Sequence, residues 1–368
     1  MLMPNAILNN NKHHLIMSTI YIRTLKHAEH TVFGVEDGQK NYYDPIFGKR
    51  VPYSSGQQVK RSIMDQLNAG LNTPGSPTTF YFDVNKKDEI GEGEVSGTCN
   101  PAHADQLFGG WMRAGKGGKE RTLKRRSPLS ISAMRPLHPM LAATPSENIT
   151  FDRSDRPNNK IIVRDPSGEE LSEEAITALL EGKDKSLSRK WIPNNRRAVG
   201  LFVVDVAIDL RRLFCVSLNT LEPAITPEVE AELRKEGWIE GENVFGKCLV
   251  APPSLREQWI PAIITALLDW RITSNQSRTF SLMETLAVTV SDDANKIAGS
   301  IRPKLVGDGD KVIPIIEEEL PGVKTFVTLP AAGYVLTTNE SATALADARS
   351  YLTAQLMSFN YENQLVKG

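Results

Sequence analysis

An α+β fold, an antiparallel sheet backed by helices, is predicted by three observations in this 368-residue chain. In AVGLFVVDVAIDL (198–210), Phe202, Val204, Val206, Ile208 and Leu210 recur at period two while Asp205 and Asp209 take the other face, as in a central strand. Two segments repeat instead every four residues, Val59, Ile63 and Leu67 in one and Leu255, Trp259, Ile263 and Leu267 in the other, so each is an amphipathic helix. Their order along the chain is strand, helix, long insertion, strand, helix, strand. That order folds as a ferredoxin-like sheet with two helices on one face, an architecture shared with RNA-recognition domains.

The elements follow in sequence. Residues 1–17 read as a disordered leader, because alternation starts only where Ile20, Ile22 and Thr24 oppose Tyr21, Arg23 and Leu25, a strand over 18–27. The first helix spans 56–69 and is ended by Gly70 at its C′ position. Residues 70–126 are rich in Gly, Pro and Ser, and GGWMRAGKGGKERTLKRR within them reads as a mobile basic loop. SPLSISAMRPLHP (127–139) is extended. The block 148–196 is an insertion holding the DPSG turn at 165–168 and a short helix over 173–181. After the strand at 198–210, a helix over 254–271 starts with a capping box of Ser254 and Glu257 and contains Pro261. A strand over 282–290, an acidic run of Glu317, Glu318 and Glu319, a strand over 323–329 and a helix from about residue 341 complete the chain.

A hydrophobic content of 40% supports a globular core. Charge is balanced, 43 basic against 44 acidic residues, so attraction to a polyanion must come from local segregation. Such segregation is present: Arg113, Lys116, Lys119, Arg121, Lys124, Arg125 and Arg126 are opposed within their run only by Glu120. Cys99, Cys215 and Cys248 are few, odd in number and scattered, which fits a reducing cytoplasm better than a disulfide framework. No run approaches the roughly 18 apolar residues of a membrane span, so no membrane partner is expected.

FGKRVPYSSGQQVKRSI (47–63) joins a basic loop to a strong helix start. Lys49 and Arg50 precede a proline, Ser54 and Ser55 offer N-cap hydroxyls, and Gln57 and Gln58 fall where capping-box partners belong. Unpaired amides at a helix start attract anions, and Gln57 shares a face with Lys60. A phosphate-binding surface is the expectation.

Taken together, FGKRVPYSSGQQVKRSI, RRSPLSISAMRPL, RRAVGLFVVDVAIDL and SNQSRTFSLMETLAVTVSDD resemble, in that order, the DevR-like backbone subunits (RAMP superfamily) of type I CRISPR-associated Cascade surveillance complexes. The resemblance implies a palm at 18–69 and 197–292, fingers with a basic web at 70–126, a palm-edge segment at 127–147, a thumb at 148–196 and a C-terminal extension at 293–368. It also implies that copies stack as a helical filament along a crRNA guide, beside other Cascade subunits, and present the guide to target DNA through base pairing, without a cofactor or catalysis. Ser55, Gln57 and Lys60 stand at the family's backbone-binding positions, followed by Arg61, and Lys49 and Arg50 match its basic loop. Met134, followed by Arg135, resembles an exposed methionine region that touches kinked RNA, and the run from Arg113 to Arg126 is a possible nucleic-acid-binding loop. Gly56 inside the serine motif and the late acidic segment depart from the family pattern.

Two readings from other classes stay open. Type III relatives cut target RNA with an aspartate after the first strand, where VEDGQKNYYDP offers Asp37 and Asp44; a metal-dependent ribonuclease would use one of these, although DG and DP also make ordinary turns. The other is a structural protein whose basic patches bind an acidic partner. His27, His30 and His138 are candidate proton-transfer groups but form no motif, and Cys99 with His103 lacks the second pair that a zinc site needs.

Overall fold

The computed structural model describes residues 18–34, 39–115, 121–150, 160–181, 191–273 and 280–365. Its central sheet is built on four strands, β1 (Thr19–Thr31), β2 (Ala198–Asp209), β3 (Thr285–Ser291) and β4 (Lys324–Thr328), in the spatial order β2, β1, β3, β4. All three contacts are antiparallel, with Ile22 opposite Val206 on one side and Val290 on the other. Short strands Leu129–Ile131, Arg135–Pro136 and Ala142–Ala143 line the free side of β2. Glu340–Ser341 adds to β4 in parallel, which makes the sheet mixed rather than wholly antiparallel.

Side-chain alternation sorts this sheet into two cores. One face carries Ile20 and Ile22 of β1, Phe202, Val204, Val206 and Ile208 of β2, and Val288 and Val290 of β3. Onto it pack α1 (Gly56–Gly70) through Val59, Ile63 and Leu67, α2 (Pro253–Asp269) through Trp259, Ile263 and Leu267, and α3 (Ala344–Met357) through Ala348, Leu352 and Leu356. Each such Val, Leu or Ile side chain contributes about 1.5–3 kcal/mol on leaving water. Part of the opposite face is covered too: Leu25, Leu201, Val203, Ala287 and Val327 pack with Ile301 and Ile316 from the hairpin Ile301–Val306/Lys311–Ile316. The residues after 292 are therefore built into both cores.

The helix starts and ends differ in detail from the sequence expectation. Gly70 is the last helical residue of α1, Leu71 caps it, and the left-handed position falls on Asn72 (φ 54°). At α2 the N-cap is Pro252, and Ser254 lies inside the helix without a capping bond. Gly200 marks a close approach: at φ 134° it pairs with Ala142, and a Cβ there would stand 2.2 Å from the Leu141 carbonyl oxygen.

Both insertions contain β-ribbons separate from the central sheet. Residues 146–196 begin and end as the antiparallel pair Ser146–Thr150/Trp191–Arg196, and the described part between them contains the turn at 165–168 and the helix Glu173–Leu180. The earlier insertion contains the hairpin Thr78–Tyr81/Glu94–Gly97, the short helix Ala104–Gly109 and the pair Trp111–Arg113/Leu123–Arg125. That last pair takes up both ends of the expected mobile basic loop, whose centre at 116–120 lies outside the described residues. It is a packed ribbon because Leu123 and Arg125 turn inward and are buried. The leader 1–17 lies outside the described residues.

Candidate nucleic-acid interface

The basic segment before α1 is the second strand of a hairpin, Asn41–Asp44/Lys49–Pro52, with Asp44 opposite Lys49 and Tyr43 opposite Arg50. The Asp44 carboxylate closes the turn by accepting the Ile46 and Phe47 amides, both at 3.0 Å. Asp44, one of the two candidate catalytic aspartates, is thus occupied in turn chemistry; Asp37 lies outside the described residues. Val51 is buried and the Phe47 ring meets His138 edge-on at 4.4 Å, which anchors the hairpin and leaves Lys49 and Arg50 exposed. His138 itself accepts the Met140 amide at Nδ1, and burial lowers its pKa.

The chain then passes into α1 through a two-residue clamp. Ser54 and Met134 exchange backbone hydrogen bonds, 3.0 Å in each direction. Ser55 is the N-cap and its hydroxyl accepts the Gln58 amide at 3.3 Å. Gly56 follows because a Cβ there would stand 2.8 Å from the Ile131 carbonyl oxygen: the helix start abuts the chain's own backbone. Along α1, Gln57 and Arg61 are exposed, and Arg61 pairs with Asp65 one turn on at 2.8 Å. Lys60 points elsewhere. Its ammonium donates to the Gly109 carbonyl at 2.5 Å, at the end of the short helix Ala104–Gly109, and burial together with the nearby Arg125 lowers its pKa.

Met134 is not an exposed methionine. It is 0% exposed, because the Ser54 clamp draws it into the main core. Its neighbour Arg135 is half exposed and reaches Asp205 at 3.2 Å, while Asp205 also holds Arg23 at 2.6 Å. The Arg23 guanidinium donates further to the carbonyls of Ala298 and Ile301. Arg23 and Asp205 line an open groove of about 420 Å³, walled also by Tyr21, Ser132 and Ile297. Sequence reasoning placed Asp205 on the outward face of β2 but missed Arg23 as its partner.

The basic run divides as well. Arg121 donates to the Thr220 carbonyl at 2.5 Å, and Lys124 pairs with Glu222 at 2.6 Å. Arg125 is buried, donates to the carbonyls of Leu107, Arg212 and Cys215, and lies over the Trp111 ring; burial pulls its pKa down to about 10. Three of the candidate nucleic-acid contacts are therefore bonded to the chain's own segment 212–222 or to the short helix. Arg113 is half-buried and Arg126 exposed, whereas Lys116 and Lys119 lie outside the described residues.

Among the described residues, no three His, Cys, Asp or Glu side chains gather to hold a metal, and no helix is long and apolar enough to cross a membrane. No protein-family model matches the chain, and no curated protein matches it. Solved structures do. A chain of a "CRISPR RNA-guided surveillance complex, pre-nicking" aligns at 10% identity and TM-score 0.44, covering 92% of this chain and 88% of that one. A chain of a "CRISPR RNA-guided surveillance complex" aligns at 12% identity and TM-score 0.41, covering 91% and 99%. Similarity at this level assigns no ligand and no residue.

Proposed function

We propose that this chain is a noncatalytic crRNA-binding backbone subunit of a type I CRISPR surveillance complex. Its sheet serves as a ferredoxin-like palm, residues 70–126 as fingers and web, and 148–196 as thumb. The ordered sequence motifs support this, and one geometric observation carries it: the Ser54–Met134 clamp gathers exposed Lys49, Arg50 and Gln57 and half-exposed Arg135 around the start of α1. Two guanidinium groups, an ammonium and an amide suit phosphates and sugars, which is what a guide offers when its base edges must stay free to pair with target DNA. A few contacts per copy then suffice, because copies tiling one RNA strand multiply them and offset a near-neutral net charge. Other copies of the chain and further complex subunits are the implied protein partners.

The test is binding of a labelled guide RNA across a salt series. Replacing Lys49 and Arg50 together by Ala removes two phosphate contacts, and the slope of log K against log salt then flattens by about 1.4, or 0.7 per contact on a single strand. An unchanged slope in a folded double variant refutes the interface. Complementary RNA supplied with magnesium stays intact; metal-dependent cutting of it refutes the noncatalytic part.

A further inference from the structure

Cys215 and Cys248 belong to a separate three-stranded antiparallel sheet, Cys215–Ser217, Gly246–Val250 and Ile239–Asn243, with Gly246–Val250 in the middle. The register sets Cys215 opposite Val250 and Ser217 opposite Cys248, so the two thiols are diagonal neighbours on one sheet face. They interact directly. Contact with Cys215 holds the Cys248 thiol below its ordinary pKa, and the same contact, with burial, pushes Cys215 up. Both line a small cavity of about 70 Å³ whose walls also carry Arg125, Arg126, Arg212 and Lys247. Burial and the carboxylates of Glu242 and Glu240 oppose the lowering at Cys248, while the Arg125 guanidinium pulls against the rise at Cys215. Cys99, by contrast, is buried without a neighbouring thiol, and burial raises its pKa.

We propose that Cys215 and Cys248 form an oxidisable dithiol, which a small hydroperoxide entering through this cationic cavity closes to an intrachain disulfide. The Cys248 thiolate attacks the distal peroxide oxygen, the O–O bond breaks, and the alcohol or water leaves with a proton, giving a sulfenic acid at Cys248. The Cys215 sulfur then displaces hydroxide from that sulfenic acid, and its own proton leaves with the hydroxide as water. In total two thiols lose two electrons and two protons, and the peroxide is reduced to alcohol and water. Diagonal Cα atoms stand about 7–8 Å apart and a disulfide holds them within about 7 Å, so one strand must shift by roughly 1 Å. Cys215–Ser217 is the strand able to do so, since among the described residues it lies at the sheet edge with a partner strand on one side only. Its movement strains two bonds that now hold Cys215: the Gln364 amide donating to its sulfur at 3.2 Å, and Arg125 donating to its carbonyl. This site is independent of the RNA-binding reading.

The full chain is titrated with hydrogen peroxide, its remaining thiols are alkylated under denaturing conditions, and the peptides are mapped without reduction. The expected product is a Cys215–Cys248 linked pair, reversed by dithiothreitol, with Cys99 still alkylated. The link persists in Cys99→Ser and is lost in Cys248→Ser and Cys215→Ala. Met112, 78% exposed, supplies the dose control through its sulfoxide. All three thiols remaining free at a dose that oxidises Met112 overturns the proposal, as does a link through Cys99 or between chains. The decisive readout is made on the natural chain, so a variant that fails to fold leaves the result standing.

Discussion

Arg23 and Asp205 face each other as a register pair across β1 and β2, and their side chains meet at 2.6 Å on the sheet face opposite the helices. Arg23 is 9% exposed, so removing its partner strands a cation in poor solvent. Asp205→Ala is expected to lower unfolding free energy by about 2 kcal/mol, the worth of a charged hydrogen bond in a partly buried place. Urea unfolding measures it, and an unmoved midpoint counts against the pair as a clasp.

Arg125 ties the short helix to segment 212–215 through three backbone carbonyls, and only a planar fork reaches all three at once. Arg125→Lys should therefore fail to rescue what Arg125→Ala loses, each variant falling by about 3 kcal/mol. If the lysine variant melts with the natural chain, the charge alone matters. Full stability in both variants would instead free Arg125 for a nucleic-acid role.

Lys60 offers a sharper separation of structure from binding. Its bond to the Gly109 carbonyl predicts that Lys60→Met costs about 1–2 kcal/mol of stability. Guide affinity measured well below the melting temperature should change less in this variant than in Lys49→Ala. A larger loss of affinity in Lys60→Met would mean that the ammonium leaves Gly109 when RNA arrives.

Lys26 gives the fold a pH dependence. Burial, with Arg271 nearby, lowers its pKa from 10.5 to about 7, against opposing pulls from Asp269 and Glu284. Between about pH 7 and 10.5 the unfolded chain holds this proton and the folded chain does not, so this group adds stability as pH rises through that window; below pH 7 both states are charged and its slope vanishes. The difference in urea midpoint between the natural chain and Lys26→Met, followed from pH 7 to 9.5, should carry this slope. A difference that is flat with pH would show Lys26 already charged in the folded state.

The core was legible because alternation and four-residue spacing are local: Phe202 to Leu210 and Val59 to Leu67 announce their buried faces without reference to other segments. The hairpin around Lys49 was half legible, since Asp44 and Pro45 signal a turn but Val51 alone does not reveal a strand. What escaped depends on contacts distant in sequence. Arg125 and Lys124 look solvated until segment 212–222 folds against them, and Met134 looks exposed until Ser54, eighty residues earlier (134 minus 54), clamps its backbone. Gly56 stands at a point where its own chain, in the carbonyl of Ile131, leaves no room for a side chain.

The last strand and helix of the sheet carry a consequence for synthesis. A nascent chain that has emerged only to residue 292 presents β3 with an open hydrogen-bonding edge, and Leu352 and Leu356 have yet to cover the helices beneath them. Such an edge recruits stray strands. Completion of this sheet therefore waits for residues 324–341 to leave the ribosome, and until then the edge of β3 is open to pairing with stray strands.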